Sequence, residues 1–498
     1  MTAIALTGHW KHALERLVVR WWQPALLVTA VVLGTAARLL YDRGMPLWFD
    51  ETFTGVIAGQ VTVGGLWHWL RTELTGPFFY APMWLWTRVA GVSTEALRLP
   101  SLLCTLAAPL FVWRRGHPDS TLRLGWAAVL LLWMPAAVLA NDARPYALLV
   151  LLGTLQIAAF CALLRTPNRA AALRWAAVTA LMGLTHYLSL VPGMVQGLLF
   201  VAVQRKAVLR LLPAAWPFLP LAAWMAIHLP FVIHVEARGM PQTTTLTPYV
   251  IAELPALLVG DGLFALLLGG AVAWSLLGRA RSVRTGWPSP EALTATAALS
   301  AFGALFALGL VMPGLALRYF IPTIPGLLFA VSWWLAGALR RGEAAAVAFL
   351  LAMIVGSLGL SVSGWRDTAI DQRHAFGFDL ASRWVGERPV RRVVFFWSDS
   401  TADLAPDLDV NLVDLGGFFF QRAGQHPAID VLHVPVDAPA AAAVLARADQ
   451  GGADAILWVG NAPSPDLLRR PGRLMRDPRW ECRDFGAGLA MSLGCRRR

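Results

Sequence analysis

The sequence predicts an α-helical polytopic membrane protein of about 11 transmembrane helices, with interfacial helices in its first outer loop and a small α/β extracytoplasmic domain at the C-terminus. Three observations carry that expectation. Hydrophobic residues make up 57% of the 498, against roughly 45–50% in a soluble domain, and mean hydropathy is +0.56. The apolar residues gather in runs of roughly 20, the length that spans a bilayer as a helix. Short arginine clusters separate the runs and recur on every second loop, as the positive-inside rule requires.

Lys11, Arg16 and Arg20 precede the first run, 24–41. That run is long and no small-residue cleavage site follows it, so it reads as an uncleaved span with a cytoplasmic N-terminus. Further runs lie at 97–113, 124–140, 146–164, 172–187, 188–203, 208–233, 255–277, 293–313, 319–339 and 343–363. Each must be helical, because lipid offers no partner for a free backbone group. With the N-terminus inside, Arg114, Arg115 and Arg123 fall in the cytoplasm. So do Arg165, Arg169 and Arg174; Arg205, Lys206 and Arg210; Arg279, Arg281 and Arg284; and Arg340 with Arg341. The outer loops keep only Arg43, Arg71 and Arg88, then isolated Arg144, Arg238 and Arg318. Counting the apolar stretch 77–91 as a span would reverse every later loop. It is short, holds Pro77 and Pro82, and reads instead as an interfacial helix. The net charge of +12 is spread between spans, which argues against a nucleic-acid partner and for the lipid bilayer. The expected location is a bacterial inner membrane, multi-pass.

Composition changes after about Gly364. "RRVVFFWS" (391–398), "AIDVLHVP" (428–435) and "DAILWVG" (454–460) read as buried strands, and "AAAAVLARADQGG" (440–452) as a helix with a glycine stop. Alternating strands and helices predict an α/β domain, so the chain divides into 1–363 and 364–498, the second part periplasmic. Cys104 and Cys161 fall inside apolar runs as packing residues. Cys482 and Cys495, in "ECRDFGAGLAMSLGC", suit either a disulfide across two short strands or two free thiols.

Polar clusters stand at the outer helix ends: "WFDETFTG" (48–55), "NDARPY" (141–146), "THY" (185–187), "IHVEARG" (233–239) and "LRYFIP" (317–322). Charged residues are only 14% of the chain, and each costs roughly 2.5–3.5 kcal/mol at membrane depth. Several such clusters on one face point to a shared cavity. Each residue also has a structural explanation. Asp50 suits a helix N-cap with Glu51 in the first turn. Asp142 and Arg144 suit a surface ion pair, His186 a satisfied interfacial histidine, and Arg318 a headgroup contact.

The segments "MPLWFDETFTG", "PFFYAPMWLWTRVAGVSTEALRLPSLL", "NDARPYALLVLL", "LTHYLSL" and "LRYFIPTIP" together resemble the bacterial membrane-embedded glycosyltransferases of the GT-C class. The nearest pattern is the family-39 or Rgt-like group, with its protein O-mannosyltransferases and aminoarabinose transferases. The resemblance covers about residues 20–330, and "TGPFFY" (75–80) carries neither the His-Pro-Pro nor the Lys-Pro that members often have there. It implies a catalytic membrane part that transfers a sugar from a polyprenyl-phosphate donor to a lipid, glycan or protein acceptor.

For that chemistry Asp50 is the candidate general base, which is worth roughly 10²–10⁴-fold. Glu51 is the fallback base or an orienting group, and Asp142 a stabiliser of an oxocarbenium-like transition state. Arg144 and Arg318 suit the departing lipid phosphate, with Tyr146, His186, Tyr187 and Tyr319 as further substrate contacts. No cofactor is expected; Asp50, Asp142 and His186 could converge on a divalent ion, but the sequence gives that metal no support. Two other functions also place polar groups in a membrane cavity or envelope domain: a flippase for lipid-linked sugar and a non-catalytic envelope-assembly protein. The one-faced clusters and unmatched halves speak against a transporter.

Overall fold

In the computed structural model the described residues are 23–41, 44–205, 207–237, 251, 254, 269, 289–311, 317–366, 376–399, 408–433, 440–461, 472–486 and 490–498. The N-terminal basic residues, Arg43, the span predicted at 255–277, Arg238, and the arginines at 279–284 lie outside them.

The chain is a polytopic helical membrane protein with a small C-terminal sheet. Among the described residues six helices are long and apolar enough to cross a bilayer, and a bent pair would make a seventh. The first is α1 (Gln23–Leu40). The loop after it holds α2 (Phe49–Gly59), α3 (Val63–Leu70) and α4 (Pro77–Ala90). At 14 residues, α4 falls short of the roughly 20 that span a bilayer, consistent with its reading as a non-spanning helix. Then follow α5 (Thr94–Phe111), α6 (Ser120–Leu132), α7 (Pro135–Ala140), α8 (Tyr146–Arg165), α9 (Arg169–Thr185), α10 (Leu190–Gln204), α11 (Ala207–Leu211) and α12 (Phe218–Ala237). After the undescribed stretch come α13 (Pro290–Val311), α14 (Ile324–Arg340) and α15 (Ala344–Arg366).

The run predicted at 124–140 is two helices, because Pro135 lacks an N–H and starts α7 at its first position. The break frees carbonyls at the end of α6 inside the bundle. Arg38 of α1, 1% exposed, donates to Leu131 O at 2.8 Å and Leu130 O at 2.9 Å. Two carbonyls at a helix C-terminus thereby meet a cation, while the Arg38 Nε has no hydrogen-bond partner among the described residues. Gly34 permits the approach: a Cβ there would lie 2.3 Å from Leu131 O.

The C-terminal part contains α16 (Gly377–Gly386), β1 (Arg392–Asp399), α17 (Leu408–Arg422), β2 (Ala428–His433), α18 (Ala440–Gly451), β3 (Ala455–Asn461), α19 (Gly472–Arg476), β4 (Trp480–Asp484) and β5 (Ala490–Arg497). The sheet order is β2-β1-β3-β5-β4, with β1 parallel to β2 and β3, and β5 antiparallel to β3 and β4. All the predicted strands form, and Cys482 and Cys495 face each other across β4 and β5 as a disulfide. Side chains alternate between the two faces of the sheet. Val394, Phe396, Ile456 and Trp458 pack on Val444 and Ala448 of α18. Val393, Phe395, Trp397, Leu457 and Val459 join a core that also contains Leu47, Val56 and Ile57. The sheet's second face is therefore covered by α16 and α17, which pack in turn on the loop that carries the acid pair, with Phe49 stacked on Trp397.

Candidate active site

The N-cap of α2 is Trp48, not Asp50, and its backbone is extended. Asp50 and Glu51 follow in the first turn, where the positive end of the helix dipole favours carboxylates. The two adjacent acids have opposite environments. Glu51 is 0% exposed and accepts four hydrogen bonds. Oε1 takes Arg98 Nε and Ala143 N, both at 2.7 Å; Oε2 takes Arg98 Nη2 at 2.5 Å and Trp48 N at 3.1 Å. A carboxylate has about four lone-pair sites, and all are occupied. Arg98 also donates to Met45 O and Pro46 O, each at 2.9 Å. Glu51 is thus the centre of a charge-assisted knot tying the entry to α2, α5 and the 141–145 turn. Full burial and four donors suit Glu51 to an orienting role beside Asp50 rather than to that of the base.

The Asp50 carboxylate instead meets Arg318, Oδ2 to Nη1 at 3.1 Å, with side chains 21% and 41% exposed. Its backbone carbonyl accepts from Arg144 Nη1 at 3.2 Å, and the same nitrogen donates to the Tyr80 hydroxyl at 3.3 Å. Arg144 is buried in the turn before α8. Burial opposes its charge, but Tyr80, Asp50 and Glu73 outweigh that and hold its pKa above the ordinary guanidinium value. The Nε atoms of Arg144 and Arg318 are both buried without a hydrogen-bond partner among the described residues. Arg318 lies 5.7 Å over the Tyr319 ring, whose centroid is 5.2 Å from that of His186.

Asp142 Oδ1 accepts from Trp48 Nε1 at 3.0 Å. Burial, then the Glu51 charge, pushes its carboxyl up to about 7. Burial, then Arg144 and Arg318, pushes His186 down to about 4, so the ring is neutral near pH 7, with Nδ1 accepting from Leu188 N at 3.3 Å. Tyr146 opens α8 and is 4% exposed. Tyr187 is not gathered with the rest. Its hydroxyl bonds His228 Nδ1 of α12 at 2.7 Å, because the short 3₁₀ turn after His186 sends successive side chains in different directions.

Three residues enter that the sequence reading passed over. Arg98 stands in the quoted "EALRLP" stretch, where its signal was available. Glu73 lies between α3 and α4; burial, despite the Arg144 charge, raises its pKa. Tyr80 of α4 is 0% exposed and reaches Arg144. Gly76 makes this loop fit: its N–H donates to Thr185 O at 2.8 Å, and a Cβ there would lie 2.0 Å from Leu184 O.

Beside the cluster a cavity of about 350 Å³ lies among α4, α5 and α8. Phe78, Pro82, Trp86, Leu103, Cys104 and Leu148 line it, and Arg144 is the one charged residue in its wall. An apolar slot ending on a guanidinium suits an amphiphile with an anionic head.

Among the described residues one trio gathers metal-ligating atoms within 4.8 Å of one another: His117, Cys161 and Glu291. It sits at the far end of α8, and Arg165 fills it, donating to Glu291 Oε1 at 2.6 Å, to Cys161 Sγ at 3.3 Å and to His117. The guanidinium takes the place a cation would hold. Asp50 and Asp142 are directed instead to Arg318 and the Trp48 indole.

This arrangement of helices, acid-bearing first loop and C-terminal sheet is the GT-C glycosyltransferase fold. ArnT from Cupriavidus metallidurans bound to undecaprenyl phosphate aligns with a TM-score of 0.59 at 14% identity, over 95% of this chain and 98% of that one. Apo ArnT from the same organism gives 0.58 at 13%, over 96% and 98%. No protein-family model matches the sequence, and no curated protein matches it.

Proposed function

We propose that the protein is a glycosyltransferase that moves a sugar from a polyprenyl-phosphate donor to a lipid, glycan or protein acceptor of the cell envelope, by an inverting single displacement. Residues 1–363 form the catalytic membrane part and 364–498 the periplasmic domain of a bacterial inner-membrane protein with a cytoplasmic N-terminus. The observation that carries this reading is Arg144, which lines an apolar slot and donates to the backbone carbonyl of Asp50, whose carboxylate pairs with Arg318. The relative bound to undecaprenyl phosphate supports a lipid-phosphate donor.

The acceptor O–H or N–H attacks the anomeric carbon as the bond from that carbon to the phosphate oxygen breaks. The electron pair leaves on the phosphate, and Asp50 takes the acceptor's proton. The lipid phosphate departs with one more negative charge than it had as a diester, and Arg318 and Arg144 offset it. In the resting site Arg318 neutralises Asp50. Phosphate competing for that guanidinium frees the carboxylate, so the base is released when the donor arrives. Asp142, titrating near 7, supplies a second negative charge to the cationic sugar as pH rises. His186, Tyr146 and Tyr319 hold the sugar, while Tyr187 steadies the wall through His228.

The test is a membrane assay with radiolabelled undecaprenyl-phosphate sugars, following label into lipid, glycan and protein fractions. Label reaching an acceptor fraction supports transfer. Label that crosses a vesicle bilayer still attached to its lipid would mean a flippase.

A further inference from the structure

Among the described residues two carboxylates are fully buried, Glu51 and Asp379, each 0% exposed. They stand 328 positions apart, counting 379 minus 51, and both take a backbone N–H from the entry to α2. Glu51 accepts from Trp48 N at 3.1 Å; Asp379 Oδ2 accepts from Leu47 N at 2.9 Å. A buried carboxylate is retained only where donors compensate its lost hydration. Arg383 supplies the rest for Asp379, with Nη2 on Oδ2 at 2.8 Å and Nε on Oδ1. Consecutive amides, two and three residues before Asp50, are therefore fixed from opposite sides.

The grip continues along α2. Trp397 of β1 stacks on Phe49 with centroids 5.4 Å apart and planes at 18°. Phe418 of α17 packs against Gly55, where a Cβ would lie 2.3 Å from its Cζ. Asp414 Oδ2 accepts from Gln60 Nε2 and Trp69 Nε1, both at 2.9 Å. The face of α2 that Asp50 does not use is thus built from the C-terminal part.

We propose that the C-terminal α/β part is a clamp on the helix that bears Asp50, and that Asp379 is its positioning residue. This rests on the reading of Asp50 as the base. The amide of Leu47 sets where the first turn of α2 begins, so releasing it lets the carboxylate drift from Arg318 and the acceptor. Misplacement by about 1 Å costs as much as about a hundredfold in rate. Arg144 and Arg318, assigned to the phosphate, lie on other elements, so donor binding is expected to change less than turnover.

The experiment uses full-length protein in detergent. Three quantities are measured: hydrogen exchange of residues 46–53, turnover with an undecaprenyl-phosphate sugar, and Kd for undecaprenyl phosphate alone. In Asp379→Ala, exchange should rise and kcat should fall about ten- to a hundredfold, with Kd changed less than about twofold. Asp379→Asn keeps an oxygen for Leu47 N–H, so it should recover most of both. Asp379→Glu keeps the charge but moves the oxygen by one methylene, and should lower kcat; it carries the test if the alanine variant fails to fold. Unchanged exchange at 46–53, a loss confined to Kd, or an asparagine variant as impaired as alanine each overturns the clamp. Full turnover in Asp50→Asn would instead sink the base reading while leaving the exchange result to judge the clamp.

Discussion

At the start of α8, Arg144 donates to a carbonyl and a phenol and keeps its Nε free of any partner among the described residues. At the other end of this 20-residue helix, about 30 Å away, Arg165 is matched to Glu291, Cys161 and His117. Both ends place arginine beside acid at a helix terminus, and sequence alone gives them equal standing. The difference is in what is left over. The Arg165 end closes on itself, with charge, hydrogen bonds and donor geometry all answered locally. The Arg144 end leaves the Nε atoms of Arg144 and Arg318 buried without a partner among the described residues, and an apolar slot lies beside Arg144. On the proposed reading the closed cluster joins helices and the open one, with its slot, receives the substrate.

Asp50→Asn breaks the comparison hardest. It preserves shape and removes the proton acceptor, so turnover should fall at least about a hundredfold, with undecaprenyl phosphate still bound. Because Trp48, not Asp50, is the N-cap, no capping loss accompanies the change. Near-normal turnover of the folded variant would leave the open end without a catalytic role.

How much of this could be read beforehand follows from the cost of charge. Asp50, Asp142, Arg144 and Arg318 were legible because an ionised side chain near the membrane needs a reason. Glu51 was legible as a first-turn acid but not as the centre of a buried network. Its lone pairs are consumed by Arg98, Ala143 and Trp48, which only the fold brings together. Asp379 was not legible at all, since it lies in a polar stretch where an acid is ordinary and burial leaves no compositional trace. The strands of the C-terminal part were readable from their β-branched and aromatic runs. Helices α16 and α17 were not, because their apolar face serves a partner more than 300 residues earlier in the chain, Leu47 and Gly55 among it.

Arg318→Ala sharpens the assignment of phosphate to the open end. A charge-assisted hydrogen bond is worth about 1.5–3 kcal/mol, so donor affinity should weaken by about ten- to a hundredfold, measured as Kd for undecaprenyl phosphate. Arg318→Lys keeps charge without the fork and should recover only part. A Kd equal to wild type in the alanine variant would move the phosphate elsewhere.

A smaller effect is expected from pH. Burial and the Glu51 charge raise the folded pKa of Asp142 to about 7, from about 3.9 in an unfolded chain. The folded protein binds the extra proton, so between roughly pH 4 and 7 this carboxyl's share of stability declines as pH rises. Catalysis runs the other way, because the charged form aids the cationic sugar. Turnover should therefore climb through an acid limb near pH 7 that is absent in Asp142→Asn, while the same variant melts higher than wild type at pH 8. A limb unchanged in the variant would assign the titration to another group.

The smallest effect belongs to the closed end. Glu291→Gln removes the charge that Arg165 answers, and both side chains are partly buried, 24% and 18% exposed. Solvent screening at that exposure limits the loss to about 1 kcal/mol, visible as a modest drop in melting temperature. Turnover should stay within about twofold of wild type, since nothing at this end touches the slot or the acid loop. The same acid-to-amide change thus reads oppositely at the two ends of α8: Asp50→Asn should cost turnover and spare stability, as residues kept for function do, and Glu291→Gln should cost stability and spare turnover. Measuring both variants for both quantities makes the comparison a two-by-two table of outcomes. If Glu291→Gln lowered turnover while Asp50→Asn lowered only the melting temperature, the open and closed ends would have exchanged roles, and local satisfaction of charge would not separate a site from a strut.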